Sequence, residues 1–308
     1  MATVRRNILS HANARDQFIR GVKLLKQEVL QPGRPNTYDL FVAWHHQTMM
    51  QLTPPTQMER NAAHSGPVFL PWHRHMLIEL ERNLQRVLND PAFGLPYWAW
   101  QADGDGPAGQ QTSSPIWAAN CMGGSGSPVT TGPFAFRASD PTSWRVTLEA
   151  TVGGQLRPTN RGLRRQLALD VATLPTTQQV RSAIGIATYD TAPWTRASTG
   201  SFRNLAEGWP SGPQTHNRVH VWVGGDMSPS SSPNDPVFYL NHCNVDRIWA
   251  AWQQRHPNSP YLPPGNAPAS LRFHRLNDAM SSIFPGQTTP NSMLNVSSIY
   301  TYDSFADL

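Results

Sequence analysis

A chain of 308 residues with 39% hydrophobic residues can bury a sizeable core, but no stretch reaches the roughly 18 to 20 apolar residues that a membrane-spanning helix needs. Its formal net charge of +5 comes from basic residues that are scattered along the sequence, which argues against a nucleic-acid partner. Because only 15% of the residues are charged while 28 prolines and 22 glycines interrupt the chain, we expect a helical core wrapped by long irregular loops.

Two helices are predicted at the N-terminal end. Apolar residues recur at helical spacing over residues 13–30, which predicts an amphipathic helix. These residues are Phe18, Val22, Leu25 and Val29. Pro32 and Gly33 end this pattern, and Asn36 or Thr37 is placed to cap a second helix.

Adjacent histidines lie on the second predicted helix. His45 and His46 would leave it about 100° apart, so one metal ion would take only one of them, and the residues alone do not choose between the two. A loop over residues 51–63 leads to His64. His73 then falls in the first turn of a third helix, which a proline at position 71 favours.

The middle of the chain carries weaker signals. The segment 95–100 is rich in aromatic residues and is predicted to pack in the core, whereas 101–160 predicts long ordered loops with a short strand pair. A modest helical pattern over 161–187 includes Leu163, Leu167 and Leu169. Thr176 is predicted to cap a helix that follows.

Two further histidine-bearing helices are predicted in the C-terminal half. His216 and His220 are four residues apart, so on a helix both imidazoles leave the same face. A long helix should run from about Asp235 to Arg255 and place His242 and Asp246 one turn apart. Asp246 could pair with an arginine or orient a ligand, and the structural salt bridge is the preferred prediction. The residues beyond this helix are predicted to wrap the core.

Six of the 11 histidines therefore form two ordered triplets, with His45 and His46 still alternatives in the first. Imidazole suits copper, zinc, iron and nickel. A structural zinc site would more often recruit cysteines, and a non-haem iron oxygenase would use a carboxylate. Two histidine-only triads with open positions suit two copper ions that face each other.

Several sequence blocks, in this order, resemble the tyrosinase family of type 3 copper proteins. The resemblance extends from about residue 35 to Tyr302 and looks like a compact bacterial tyrosinase. The blocks are Phe69-Leu70-Pro71-Trp72-His73-Arg74, Leu95-Pro96-Tyr97-Trp98-Ala99-Trp100, His216-Asn217-Arg218-Val219-His220-Val221-Trp222, and Asn234-Asp235-Pro236-Val237-Phe238 through His242 and Asp246. The family's Phe-x-x-x-His pattern selects His45, through Phe41, as the ligand.

The resemblance implies a mainly α fold, with a four-helix core that holds a dinuclear copper site and few short strands. It assigns His45, His64 and His73 to one copper ion, and dioxygen as the co-substrate. It assigns the second copper ion to His216, His220 and His242. It also implies that Glu207 and Asn217 hold a water molecule near the site, where that water acts as a general base.

Three residues depart from the common family pattern near the last ligand. Asn241 stands where many relatives have a second histidine, Cys243 stands where Ala or Ser is frequent, and Ser228 falls near the expected site entrance. These changes put in doubt whether monophenol hydroxylation is the main activity. Neither Cys121 nor Cys243 lies beside His64 in the sequence, so no thioether bridge to that histidine is expected.

The predicted function is a tyrosinase that hydroxylates monophenols and oxidises ortho-diphenols to ortho-quinones. The alternative is a catechol or ortho-aminophenol oxidase with little monophenolase activity, and a more remote one is a reversible oxygen carrier. We expect a single domain over 1–308 without a C-terminal lid domain, and a small phenolic substrate. We see no apolar segment followed by a small-residue cleavage site near the N-terminus of this sequence, so we expect a cytoplasmic protein, or one that is exported only with a separate copper-loading helper.

Overall fold

The structure is a computed structural model that describes residues 2–209, 212 and 214–308. In these residues the chain forms nine α-helices and four short strands. The helices are α1 (Ala12–Gln27), α2 (Thr37–Met49), α3 (Phe69–Leu88), α4 (Trp100–Gly104), α5 (Ala108–Gln111), α6 (Thr177–Ile184), α7 (Phe202–Glu207), α8 (Thr215–Val223) and α9 (Val237–Arg255). The strands are β1 (Thr3–Arg5), β2 (Val146–Ala150), β3 (Leu156–Arg161) and β4 (Tyr300–Tyr302). The mainly α fold with few short strands is as predicted.

Four helices, α2, α3, α8 and α9, form the core that carries five of the six predicted histidine ligands. α3 packs on α9, α8 packs on α9, and α1 covers α3 from outside. Gly21 permits the approach of α1, because a Cβ atom there would lie only 2.7 Å from Cδ2 of Leu84. α3 therefore lies between α1 and α9, and the inward faces of α3 and α9 are almost fully buried.

The predicted helix boundaries are partly right. Asn36 caps α2 by accepting a hydrogen bond from the amide of Asp39, as one of the two predicted caps. α1 ends at Gln27, so the prediction that Val29 belongs to its apolar stripe is wrong, and Val29 is 55% exposed. The backbone turns to an extended conformation at Glu28, ahead of the predicted break.

The segment 101–187 contains one correct and one wrong prediction. β2 and β3 form the expected antiparallel pair, and Thr176 caps α6 with a full capping box. The helical pattern at Leu163–Leu169 is wrong, since no helix lies there. The backbone of this segment pairs with distant chain instead: Arg165 forms a bridge with Gly126, and the amide of Gln166 donates to the carbonyl of Val223.

Asp246 forms the predicted salt bridge as part of a buried ion network that joins α3, α9 and β1. The carboxylate of Asp246 is 2.5 Å from Nε of Arg74 and 3.2 Å from Nη1 of Arg5. Arg5 also pairs with Glu81 at 2.7 Å. β1, which carries Arg5, runs parallel to β4, so the segment near residue 300 is a structural part of the core and not only wrapping.

No helix among the described residues combines the length and the apolar character that crossing a membrane would require. Both cysteines are buried as free thiols. Cys243 Sγ lies 3.5 Å from the carbonyl oxygen of Leu95.

Candidate metal centre

The N-terminal histidine triplet converges on one point. His45 lies in the middle of α2, and His64 lies on the loop between α2 and α3. α3 begins at Phe69, two residues before Pro71, so His73 lies at the start of its second turn and not in the predicted first turn. One ring nitrogen from each lies within 4.8 Å of the other two. All three side chains are buried, and His64, at 8%, is the most exposed of them. His46 does not join this group; its ring is hydrogen-bonded to the side chain of Ser230.

The C-terminal triplet is equally close. Nε2 of His242 lies 3.1 Å from Nε2 of His216 and 3.3 Å from Nε2 of His220. Two ligand nitrogens, each about 2.0 to 2.1 Å from an ion, are about 3.3 Å apart at a tetrahedral angle. The spacing of these nitrogens therefore already matches a shared metal ion.

The two triads adjoin. The rings of His73 and His242 stack with centroids 4.2 Å apart and an angle of 12° between their planes. Phe238 contacts both triads, with its ring centroid 5.0 Å from that of His45 and 4.2 Å from that of His242. Two ions bound here would thus be neighbours, as a coupled pair requires.

Backbone carbonyls fix the direction of four ligand rings. Nδ1 of His45 donates to Ser230 at 2.7 Å, and Nδ1 of His73 donates to Phe69 at 2.8 Å. His216 and His220 donate in the same way to the carbonyls of Glu207 and Met227, at 3.2 and 2.6 Å. This contact leaves Nε2 with a lone pair, which is the usual arrangement around a metal-bound histidine.

The remaining ring nitrogens test whether these residues fit a metal. Nε2 of His45 and Nε2 of His73 are buried without a hydrogen-bond partner among the described residues. A buried polar atom without a partner costs about 1 to 3 kcal/mol, and a bound ion would remove that cost. No carboxylate or thiol from the described part of the chain belongs to either triad. Two metal ions that favour imidazole therefore fit the site.

Burial also keeps the imidazoles neutral. It lowers the pKa of His45 to about 3 and that of His220 to about 4, although hydrogen bonds to backbone carbonyls oppose the shift. For His64, burial together with the neighbouring His73 and His45 lowers the pKa well below its usual value. The rings consequently keep their lone pairs at neutral pH, as metal binding requires.

Glu207 contacts both the segment after His64 and the ligand His216, and it is fully buried. Its Oε1 accepts a hydrogen bond from the amide of Ser65 at 2.6 Å, and its Oε2 pairs with Arg203 at 3.0 Å. Burial raises the pKa of Glu207 to about 7, against the opposing charge of Arg203. Because its own carbonyl receives His216, Glu207 links the segment after His64 to a ligand of the other triad.

The other residues predicted for the site fall in different surroundings. Asn217 follows His216 on α8 and is half-buried, and no side-chain hydrogen bond joins it to Glu207. Ser228 is exposed on the loop after α8, next to the carbonyl that receives His220. Asn241 is fully buried, and neither its amide nitrogen nor its amide oxygen has a partner among the described residues.

Sequence reasoning missed the residues that support the ligands. Arg203, which holds Glu207, is itself fixed by Asp190 at 2.8 and 3.0 Å, and both side chains are buried. His274 lies under the loop that carries His64 and hydrogen-bonds Thr53 at 2.8 Å. Nothing in the neighbouring sequence distinguishes these residues from the other histidines, arginines and aspartates of the chain. Only their contacts in the folded protein identify them.

The loop that carries His64 leads to a testable expectation at Ser65. This residue has a φ of +61°, a left-handed conformation that costs an L-residue about 1 to 2 kcal/mol. Ser65→Gly should remove that strain, keep the amide that donates to Glu207, and after the entropy cost of glycine raise the free energy of unfolding by about 0.5 to 1 kcal/mol. Urea unfolding measures the change; a loss of stability would show that the serine side chain matters more than the strain.

Gly66→Ala serves as the opposite case one residue later. A Cβ atom at Gly66 would lie 2.7 Å from Cε1 and 2.8 Å from Nδ1 of His274, whose buried ring has little room to move. We expect this substitution to lower the free energy of unfolding by about 1 to 3 kcal/mol, as overpacking does. The same urea titration provides the comparison.

Comparisons with known proteins agree with this geometry. The family model for the common central domain of tyrosinase matches residues 35–255. A tyrosinase of Streptomyces antibioticus is 41% identical over 98% of this chain and 99% of its own length. A grixazone synthase of Streptomyces griseus is 35% identical over 98% of this chain and 100% of its own length. Among solved structures, a mutant polyphenol oxidase of Thermothelomyces thermophila shares the fold, with a TM-score of 0.71 at 21% identity over 98% of this chain and 88% of that one.

Proposed function

This chain belongs to the tyrosinase family, and we propose that it is a copper oxidoreductase that oxidises phenols with dioxygen. One observation carries the proposal: two triads made only of histidine adjoin through the stacked rings of His73 and His242, 4.2 Å apart. Such a donor set suits copper better than calcium or magnesium, which bind oxygen ligands.

The residues proposed to hold the copper pair are the two triads. His45, His64 and His73 would hold one ion. His216, His220 and His242 would hold the other. When bound, the copper pair would supply the redox chemistry by which dioxygen is reduced and the phenol is oxidised. The protein contributes fixed ring directions and neutral imidazoles.

Glu207 and Asn217 are proposed to handle the proton of the substrate. A free phenol has a pKa near 10, so at neutral pH it has to lose a proton to bind as phenolate. A water molecule held by Glu207 and Asn217 would take that proton as a general base. This proposal is supported by the place of Glu207, hydrogen-bonded beside His64 and in contact with His216.

The range of substrates leaves a second candidate within the same family. An ortho-diphenol or ortho-aminophenol needs only oxidation, whereas a monophenol needs hydroxylation first. Asn241 introduces an uncharged amide directly before His242, buried and without a partner among the described residues. The 35% identical relative that is named grixazone synthase rather than tyrosinase also favours the alternative of an ortho-aminophenol or catechol oxidase.

Oxygen uptake separates these functions. The copper-loaded chain is given tyrosine, a simple catechol and an ortho-aminophenol in parallel, with His216→Ala as the inactive control. We expect uptake far above one dioxygen per chain on the ortho-substituted compounds, and its loss in the control because His216 is a proposed ligand. Uptake that stops at about one dioxygen per chain would instead fit an oxygen carrier, and no uptake on any of the three would contradict the proposal.

The same assay tests the proton-handling residues. Glu207→Gln keeps an acceptor for the amide of Ser65 but removes the negative charge that faces Arg203. We expect it to lower uptake on tyrosine by about 10²- to 10⁴-fold, the usual contribution of general base catalysis, and to affect the more acidic catechol less. Equal losses on both substrates would remove Glu207 from this role.

A further inference from the structure

One loop serves both triads. The carbonyl of Ser230 receives Nδ1 of His45 at 2.7 Å, and the carbonyl of Met227 receives Nδ1 of His220 at 2.6 Å. His45 belongs to the N-terminal triad and His220 to the C-terminal triad. We name residues 227–230 the bridging loop, because a shift of this short segment would turn one ring in each site.

α2 holds the C-terminal end of the bridging loop. Oγ of Ser230 lies 2.8 Å from Nδ1 of His46, a side chain that is only 4% exposed. Two consecutive residues of α2 therefore hydrogen-bond Ser230: His45 bonds its carbonyl oxygen, and His46 bonds its hydroxyl group. The hydroxyl contact fixes the direction of the carbonyl, and the carbonyl fixes the direction of the ligand ring.

The β2–β3 hairpin holds the other end. Asp226, directly before the bridging loop, accepts hydrogen bonds from Nη1 and Nη2 of Arg161 on β3 at 2.8 and 2.7 Å. It also accepts one from the amide of Arg164 at 2.9 Å. Beyond the loop, Oγ of Ser231 receives the amide of Ala150 on β2 at 3.1 Å. The bridging loop is thus fixed at both ends, and the contact between Ser230 and His46 is the anchor nearest to a ligand.

We propose that Ser230 is a positioning residue for both metal sites, with His46 as its anchor. The inference rests on the proposed function, since it says how the ligand rings of the same copper pair are oriented. A Ser230 variant without the hydroxyl group still has the backbone carbonyl, but the orientation of that carbonyl is no longer fixed by His46. The ring of His45 then loses its orientation directly, and the ring of His220 loses it through the loop.

The experiment measures Cu(I) affinity in full-length chains that keep a single site. His216→Ala with His242→Ala leaves the N-terminal triad, and His64→Ala with His73→Ala leaves the C-terminal one. Ser230→Ala is added to each background, and copper is titrated against a competing chelator. We expect affinity to fall about 10- to 100-fold in both backgrounds, as loss of an outer contact to a ligand typically does. Ser230→Thr, which restores a hydroxyl group, should recover most of the loss.

Ser282→Ala is the matched control. Oγ of Ser282 lies 3.3 Å from Nε2 of His75, a buried histidine two residues after the ligand His73. The bond is of the same kind, yet the carbonyl of Ser282 receives no ligand ring, so copper affinity should stay unchanged. The inference is overturned if Ser230→Ala weakens neither site, if it weakens only one, or if Ser282→Ala weakens both as much.

Copper affinity also keeps this test separate from the proposed function. A chain that binds two copper ions and oxidises no phenol would contradict the proposed function while the affinities still decide the role of Ser230. Conversely, normal turnover by the Ser230→Ala variant at saturating copper would agree with the inference, provided that its affinity for copper is lower. Circular dichroism of each variant confirms that the chain is folded before the titration.

Discussion

His73→Ala should lower phenol-dependent oxygen uptake by about a thousandfold or more and reduce bound copper from about two ions per chain to about one. A metal centre contributes several kcal/mol to the stabilisation of a transition state, and each 1.36 kcal/mol corresponds to a factor of ten in rate. His75, the other histidine of α3, is not placed to replace the lost ligand, because its ring lies against Trp44 and Ser282. Metal analysis and oxygen uptake on the same sample measure both effects.

His75→Asn is the control for this prediction. It removes an equally buried imidazole from the same helix, two residues away, but one that belongs to neither triad. This variant should be somewhat less stable and should still bind about two copper ions. If His73→Ala binds copper as well as His75→Asn does, the N-terminal triad is not a metal site.

Asp246→Asn should lower the free energy of unfolding by about 3 to 5 kcal/mol, the usual cost of removing one partner from a buried ion pair. The carboxylate pairs with Arg74 and Arg5, and it accepts hydrogen bonds from the hydroxyl groups of Tyr300 and Tyr302 at 2.5 and 2.6 Å. Without its charge, Arg5 keeps only the carboxylate of Glu81. Arg74 keeps the uncharged oxygens of Gln253 and Met293 and has no other carboxylate partner among the described residues. In a chain of 308 residues this loss corresponds to a drop in Tm of about 5 to 8 °C.

The pH dependence of the effect has a definite sign. Burial alone would raise the pKa of Asp246, but the guanidinium groups of Arg74 and Arg5 outweigh burial and lower it below its ordinary value. A carboxyl group of this kind stabilises the fold above its unfolded pKa of about 3.9, and the contribution is lost as the pH falls through the lower folded value. The difference between the wild type and Asp246→Asn should therefore be constant above about pH 5 and shrink below about pH 4.

Glu79→Gln provides the comparison for a surface pair on α3, the core helix that carries Arg74, a partner of Asp246. Glu79 binds Arg82 at 2.6 Å, but the arginine side chain is 58% exposed. Exposed pairs contribute about 0 to 1 kcal/mol. If Asp246→Asn costs no more than Glu79→Gln, the buried network does not stabilise the fold as argued.

The positions of the histidines could be read from the sequence because their signals are local. His216 and His220 are one helical turn apart, and an asparagine cap and a first-turn proline mark the helices that carry His45 and His73. Local spacing does not select His45 over His46, however. That choice came from the family resemblance. In the structure His45 lies with His64 and His73, whereas His46 is hydrogen-bonded to Ser230.

What the sequence could not reveal depends on contacts between distant segments. The bridging loop acts through backbone carbonyls, which every residue possesses, so Ser230 carries no mark in the sequence. The wrong helix over Leu163–Leu169 has the same origin, because its apolar spacing is helical while its backbone pairs with Gly126 and Val223. The ion network likewise joins Arg5 to Asp246, which are 241 residues apart.

The parallel pairing of β1 with β4 has a consequence for the order in which the protein is made and loaded. Thr3 pairs with Tyr300, so β1 has to wait until β4, which follows it much later in the sequence, has been synthesised before their hydrogen bonds can form. Contacts so distant in sequence close late, because a long loop has to be ordered first. The N-terminal histidines leave the ribosome long before His242. The ion pairs between Asp246 on α9 and the side chains of Arg5 and Arg74 can form only after α9 has been synthesised. Stable uptake of two metal ions should therefore follow synthesis rather than accompany it.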